Sequence, residues 1–379
     1  MLNRRQCAAG QIVIGLTIAF LGGPSPAQAE PIQSTRLLPE ELTAAISRDL
    51  HISAEEYLRR SRVAQQLAVF TATAREQFPD SIEQAGLDSE VRGVLALAAG
   101  PGADIVRMDA GTAGFDIRDV LVLGLPASPA VPTPVERRSG DRPAATEVAG
   151  GDPFVAMPPQ GKKVSFGMCS WGFNGIDHDG ATVNITAGHC NMEAEKENPN
   201  PLHVYAPSTK NGVDTPVGHF HKSLTFKNTA RDYAIIRISD EARPLFDNNL
   251  VRSRGTKPLP ITGVADPVIG APVCKLGHTT GYTCGVIVDV DPPEDGGPSQ
   301  SFTHTAFQFS GDSGGPIITG TSAVGIVSRL ESTLDLPTDP AAYLDPRWHD
   351  QTRRNLFRVV AQSISAVLTE NPGLQIRTH

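Results

Sequence analysis

Cysteine is scarce in this chain of 379 residues: there are five, and no two of them stand in the C-x-x-C spacing that a zinc site would use. Positive charge is also short, with 33 Lys and Arg against 41 Asp and Glu, a formal net charge of −8. That balance, with no block of like charges, leaves no electrostatic footprint for nucleic acid. Beyond the first thirty residues no apolar run is long enough to span a bilayer, so membrane partners are not expected either. With 40% apolar and 20% charged residues the chain is neither disordered nor fibrous, and its length has room for two or three domains.

What is present begins with a three-part N-terminal pattern. Arg4 and Arg5 precede the apolar run from Ile12 to Leu21, and Pro24, Pro26 and Ala27-Gln-Ala29 follow it. This reads as a secretory signal over residues 1–29 with cleavage before Glu30, and so as an extracellular protein. Its removal would take Cys7 and leave Cys169, Cys190, Cys274 and Cys284, an even number bound for an oxidising compartment. Four cysteines allow three connectivities, and spacing favours Cys169 with Cys190 and Cys274 with Cys284.

From about Leu37 to Ala99 apolar residues recur at helical spacing. Between Leu125 and Gly161 the composition shifts to Pro, Ala, Ser, Gly and Thr, with Arg137-Arg138 inside, and reads as an exposed linker. After Gly161 come short β-rich runs separated by Gly and Pro, among them Ala181-Thr-Val-Asn-Ile-Thr, Tyr233-Ala-Ile-Ile-Arg-Ile, Gly285-Val-Ile-Val-Asp-Val and Ala323-Val-Gly-Ile-Val. That texture predicts a barrel or sandwich. Residues 355–368 carry apolar positions at helical spacing and predict a C-terminal helix.

The chemistry concentrates in Phe309-Ser-Gly-Asp-Ser-Gly-Gly-Pro316. A serine hydroxyl sits here on a glycine-rich turn, and the N–H groups of Gly311 and Ser313 could face the oxygen of a carbonyl under attack. Serine is a poor nucleophile at its own pKa and needs a histidine base oriented by a carboxylate. His189, in Thr186-Ala-Gly-His-Cys190, follows a β-type run and is pinned by a neighbouring half-cystine. Asp232 opens the run Tyr233-Ala-Ile-Ile-Arg-Ile238 and suits the orienting carboxylate, with Asp214 and Asp240 as alternatives.

In that chain order His189, Asp232 and Ser313 resemble the chymotrypsin-like serine proteases, and further segments resemble their secreted bacterial branch, which includes alpha-lytic protease and the streptogrisins. Val148-Ala-Gly-Gly-Asp152 is similar to the start of the mature enzymes and Cys169-Ser-Trp-Gly-Phe173 to their first disulfide strand. Cys274-Lys-Leu-Gly-His-Thr-Thr-Gly-Tyr-Thr-Cys284 resembles their second disulfide hairpin, and Arg48-Asp-Leu with Phe78-Pro-Asp-Ser81 resembles their pro-regions. The resemblance implies an all-β double six-stranded antiparallel β-barrel with a C-terminal helix, preceded by an α+β pro-region. Residues 30–124 would be that pro-region, acting as folding assistant and inhibitor, 125–160 the linker with the maturation site, and 161–379 the protease domain, the mature chain starting near Val148. It implies a monomer acting on proteins or peptides without a cofactor.

The resemblance also assigns Ser328, in Gly325-Ile-Val-Ser328, as a serine that supports the aspartate and borders the substrate strand. Asp312 should be paired, and Lys275 stands where the relatives carry an arginine for this. Thr305, Ala306 and Phe307 would border the primary specificity pocket. Phe307 replaces a cysteine usual in the relatives, and Arg329-Leu-Glu331 with a proline-containing insertion through about Pro346 replaces small residues. The pocket segment 303–310 has no acidic residue, which points to apolar rather than Lys or Arg side chains before the scissile bond. His219-Phe-His221 puts two histidines on one strand face, read as a surface pair and not as a metal site. Two other readings compete: a protease-like binding protein without activity, and a serine esterase through the G-x-S-x-G pattern at Gly311–Gly315, which would need a helix after Ser313.

Overall fold

A computed structural model describes residues 38–100, 102–118, 146–158, 168–196, 201–207, 215–227, 230–253, 255–291, 297–332 and 357–379. The expected leader over 1–29, Arg137-Arg138 with most of the linker, Asp214, and the insertion after Ser332 lie outside the described residues.

The N-terminal unit starts with helices α1 (Glu40–Leu50) and α2 (Ala54–Gln77). Ser53 caps α2 by accepting from the Glu56 N–H at 3.1 Å, and Glu55 and Glu56 place negative charge on its first turn. A helix over all of 37–99 is not what forms. After the turn at Phe78-Pro-Asp-Ser81 the chain runs as strands β1 (Ile82–Leu87) and β2 (Gly93–Leu97), antiparallel, with helix α3 (Ala103–Ala113) and strand β3 (Asp116–Ile117) after them. The reason is local: Asp88 Oδ1 accepts from the N–H groups of Glu90 and Arg92, a side-chain turn that competes with helix and folds the segment back as a hairpin.

Strands β4 (Pro153–Met157), β5 (Met168–Ser170), β6 (Phe173–Ile176), β7 (Thr182–Thr186), β8 (His203–Tyr205), β9 (Gly218–Leu224) and β10 (Tyr233–Ile238) follow, then helix α4 (Arg243–Phe246) and short strands β11 (Leu250–Val251), β12 (Leu259–Pro260) and β13 (Gly263–Val264). The last third holds β14 (Pro272–Gly277), β15 (Gly281–Val290), β16 (Ser301–His304), β17 (Pro316–Thr319), β18 (Ser322–Ser332), β19 (Phe357–Ser363), helix α5 (Ile364–Thr369) and β20 (Gln375–Ile376). Strands β4 to β10 with β20 form an eight-stranded half-barrel in the order β20-β6-β7-β10-β9-β8-β4-β5. Strands β18, β17, β14, β15, β16 and β19 are antiparallel neighbours in that order, and β19 pairs back onto β18, which closes a six-stranded barrel. The architecture is the double β-barrel of the chymotrypsin-like fold, mostly strand.

The C-terminal segment departs from a simple helix. Residues 357–363 are the strand that closes the second barrel, held between β16 and β18, and only Ile364–Thr369 is helical. The pair Val359-Val360 suits a strand paired on both sides, and that pairing outweighs the helical spacing of the apolar residues.

Aromatic packing fills the half-barrel, where Trp171 stacks on Phe154 (centroids 4.7 Å) and meets Phe246 edge-on (5.0 Å). Strand β14 alternates in two directions: Val273 joins one core with Ile287, Phe302, Ile317 and Ala361, while Cys274 joins another with Leu42, Ala45 and Ile46 of α1. The N-terminal unit is therefore packed on the second barrel. The fully buried Tyr57 hydroxyl accepts from Gly320 N–H (3.0 Å), Ser61 bonds Thr319 (2.9 Å), and the Asp49 carboxylate accepts from Cys284 N–H (2.8 Å) while held by Arg48. Replacing Asp49 by Ala leaves that buried N–H without an acceptor and should destabilise the full chain by about 1–3 kcal/mol. Urea unfolding of the full chain should show the loss, and a chain starting at Val148, which lacks Asp49, supplies the reference for the undocked barrel.

Candidate active site

Strand pairing sets the first two residues side by side. Thr186, the last residue of β7, pairs with Ala234 at the start of β10, so the residue before β10 and the turn after β7 share one end of the half-barrel. A single 3-10 turn, Gly188–Cys190, carries His189, and a disulfide from Cys190 to Cys169 on β5 ties that turn down. The Asp232 carboxylate, 1% exposed, accepts from the His189 backbone N–H (2.9 Å) through one oxygen and from Nδ1 (2.8 Å) through the other. An ionised carboxylate can only accept, so Nδ1 is the donor in this contact, and in the neutral imidazole the free lone pair is then on Nε2.

The second barrel contributes two more contacts to the same carboxylate residue. A bulge in β18 between Val327 and Arg329, opposite β19, contains Ser328, whose hydroxyl donates to Asp232 Oδ2 at 2.5 Å. On β19 the buried Gln362 accepts from the Asp232 backbone N–H through Oε1 (2.9 Å) and donates through Nε2 to Gln300 O (2.7 Å). Burial opposes the charge on Asp232, but the bonds from His189 and Ser328 outweigh it and hold the carboxyl below its ordinary range.

Ser313 lies on the turn between β16 and β17. Gly311 (φ 98°) and Gly314 (φ 82°) adopt the left-handed backbone there, and a Cβ on Gly314 would stand 1.8 Å from Thr186 Oγ1. Ser313 O accepts from Ser170 N–H (2.8 Å), Cys190 Sγ is 3.9 Å from that same oxygen, and Gly314 N–H donates to Val327 O (2.8 Å). The turn is thus clamped between β5, the His189-Cys190 turn and β18. No direct bond joins Ser313 Oγ to His189 among the described hydrogen bonds. Asp312 N–H donates within the turn to Phe309 O, whereas the N–H groups of Gly311 and Ser313 donate to nothing among the described residues. That pair is available to an oxygen placed over the turn.

Asp312 and Lys275 are both fully buried, and Lys275 Nζ donates to Asp312 Oδ2 at 2.8 Å. Thr280 Oγ1 and the N–H groups of Thr279, Thr280 and Phe309 also donate to this carboxylate. Burial pushes the Lys275 ammonium down, against the pull of Asp312. The second disulfide, Cys274 to Cys284, crosses the same hairpin of β14 and β15.

The pocket segment runs from β16 to the Ser313 turn. Thr305 is tied to β15 by its N–H to Val286 O and by its hydroxyl, which accepts from Val286 N–H; Ala306 is buried, and Phe307 O accepts from Thr283 Oγ1 (2.5 Å). Sequence reasoning missed three neighbours. His304 is buried and pushed down to about 3 by burial and by the Lys275 charge, so it is neutral at ordinary pH, its Nδ1 accepting from Ala306 N–H. Phe226 stands 6.0 Å from the His189 ring and carries the Arg329 guanidinium 5.3 Å over its face. Gln362, third of these, had no signal in the sequence. Asp240, weighed as an alternative carboxylate, makes no bond to His189 among those described. The residues after Ser313 form β17 and not a helix, so the esterase elbow is absent.

The Cys169, His189 and Cys190 atoms converge within 4.8 Å, but the two sulfurs are spent on the disulfide. His219 and His221 lie on β9, on the exposed face, and burial followed by the charges of His221, Arg237 and His203 holds His219 below its ordinary value.

Replacing Lys275 by Met should cost about 3–5 kcal/mol, because it strands the Asp312 charge in the core; guanidinium unfolding measures it. Asp232 titrates lower folded than unfolded, so its stabilising share is complete above the ordinary carboxylate pKa and lost as pH falls through the depressed folded value. In Asp232→Asn that part of the acid unfolding curve should be missing.

Residues 167–326 match the trypsin-like peptidase domain. Over 197 residues, 50% of this chain, it is 30% identical to Streptogrisin-C of Streptomyces griseus, of which the match spans 37%. It is 28% identical over 189 residues to Serine protease 2 of Streptomyces fradiae, spanning 93% of that protein and 48% of this chain. Among solved structures, Thermobifida fusca Protease A is 25% identical and aligns over 62% of this chain and 100% of its own, with a TM-score of 0.41. The domain match lies across the two barrels and the Ser313 turn, so residues 167–326 are a trypsin-like peptidase domain, similar to the bacterial serine proteases just named.

Proposed function

We propose that this chain is a secreted serine endopeptidase made as a precursor, with Ser313 as nucleophile, His189 as general base and acid, and Asp232 as the group that orients it. The observation that carries the reading is the buried Asp232 carboxylate gripping both the backbone and Nδ1 of His189 while Ser328 donates to it. That grip fixes the tautomer in which the neutral imidazole has its lone pair on Nε2, and there it takes the Ser313 proton as Oγ attacks a peptide carbonyl. Charge then develops on the carbonyl oxygen and would be met by the N–H groups of Gly311 and Ser313. The imidazolium so formed is stabilised by Asp232 and returns its proton to the departing amine, leaving an acyl group on Ser313. Water repeats the sequence: His189 takes its proton, its oxygen attacks the ester, and the proton returns to Ser313 Oγ as the acid leaves.

Residues 30–124 are the pro-region in this reading, 125–160 the linker, and cleavage falls near Val148. Val148 is buried, its N–H bonded to Leu245 O at 2.7 Å, which gives a new terminus a place to sit. An uncharged His304 and the absence of acidic groups along 303–310 favour apolar side chains before the scissile bond. A second reading, a protease-like binding protein, draws on the Arg329–Phe226 stack beside His189, formed by a bulky residue just after Ser328 where small ones are expected.

A fluorophosphonate probe on secreted, processed protein should label Ser313 alone, and Ser313→Ala should lower peptide hydrolysis by about 10⁴-fold or more. No adduct on folded protein would favour the binding reading. Leucyl and phenylalanyl peptides should be cut faster than arginyl ones, and the opposite order would overturn the assignment of the pocket.

A further inference from the structure

On the outer face of the half-barrel, far along β9 from the Leu224 end that borders the His189 turn, three histidines come together that sequence spacing alone shows only as a pair. In the antiparallel pairing of β8 with β9, His203 stands directly opposite His219. Directly opposed residues of such a pair have Cα atoms about 4.5–5.5 Å apart and side chains on the same face. His221 lies two residues along β9, at a bulge in the pairing with β10 that leaves it as the extra residue between Phe220 and Lys222, and like His219 it is exposed. Burial agrees: Val204 is fully buried and Phe220 packs toward Phe154, while His219 and His221 are exposed and His203 is half-buried. All three imidazoles therefore occupy the solvent side of two adjacent strands.

We propose that His203, His219 and His221 form a binding site for a divalent transition-metal ion of the zinc class. Two histidines two residues apart on one strand with a third across the ladder can bring three imidazole nitrogens to one ion above the sheet, and leave a fourth tetrahedral position for water. Imidazole is a donor suited to Zn²⁺, Cu²⁺ and Ni²⁺, and not to Ca²⁺ or Mg²⁺, which take oxygen. The nitrogens do not yet converge as closely as the groups already within 4.8 Å of one another, which are the Cys169, His189, Cys190 set and the Asp177, His178, Asp179 set among the described residues. Convergence requires the exposed His219 and His221 side chains to turn toward His203.

The local charge permits a cation. Arg237 on β10 pairs in register with His219, yet its guanidinium is drawn away to Asp177 and Asp179, and those three side chains sum to −1. Lys222, the next residue on β9, donates to Asn371 and lies over the Tyr233 ring. The site stands independently of the reading of Ser313.

Calorimetry with Zn²⁺ as the probe, in a non-coordinating buffer, on the full chain carrying Ser313→Ala to prevent autolysis, tests this. One saturable ion per chain is expected. His203→Ala, His219→Ala and His221→Ala should each weaken it at least tenfold, His178→Ala should leave it unchanged, and Co²⁺ should give the visible absorption of a tetrahedral site. Circular dichroism checks that each variant is folded. Absence of Zn²⁺ binding by folded protein, binding that survives all three substitutions, or loss in only one of them would each overturn the three-histidine site.

Discussion

Everything at the candidate site depends on one buried carboxylate. Asp232 belongs to the half-barrel, yet of its hydrogen bonds two come from His189 in its own barrel and two, through Ser328 and Gln362, from adjacent strands of the other. A lone carboxylate at 1% exposure would be costly to ionise. It is held charged because donors from both barrels meet it, and so the barrels cannot shift against each other without breaking those bonds. The same bonds hold the imidazole in one tautomer.

The glycine-rich turn is organised by a parallel logic. Asp312 is buried beside Ser313 and satisfied by five donors, including Lys275, which is itself fully buried. Asp312 is thereby fixed within the turn, while the N–H groups of Gly311 and Ser313 make no bond among the described residues. Rigidity is thus supplied by the β14–β15 hairpin, and α1 of the N-terminal unit packs against that hairpin through Asp49 and the core around Leu42 and Ile46. Contact between the N-terminal unit and the Ser313 turn is therefore indirect, relayed through Cys274–Cys284 and Lys275.

Much of this was legible in the residues. The Ser313 turn, the His189 turn with its half-cystine, and the short β-rich runs each carry a local signature, and the strands at 182–186 and 233–238 lie where alternating β-branched residues put them. Period was a poorer guide at both ends of the chain. Residues 82–97 became a hairpin because Asp88 nucleated a turn, and residues 357–363 became a strand because two neighbours offered a ladder on both sides. Neither influence is a property of the segment itself.

The sequence by itself determined which chemical groups exist and which local conformations they favour: a serine on a glycine turn, a histidine behind a strand, four cysteines spaced to close short loops. Tertiary structure alone decided the company those groups keep. Gln362 lies 130 residues from Asp232, His304 is neutral only because it is buried near Lys275, and His203 faces His219 only through the register of two strands. Such relations depend on strand pairing and barrel closure, which sum weak contacts over the whole chain, and no local pattern of residues encodes them.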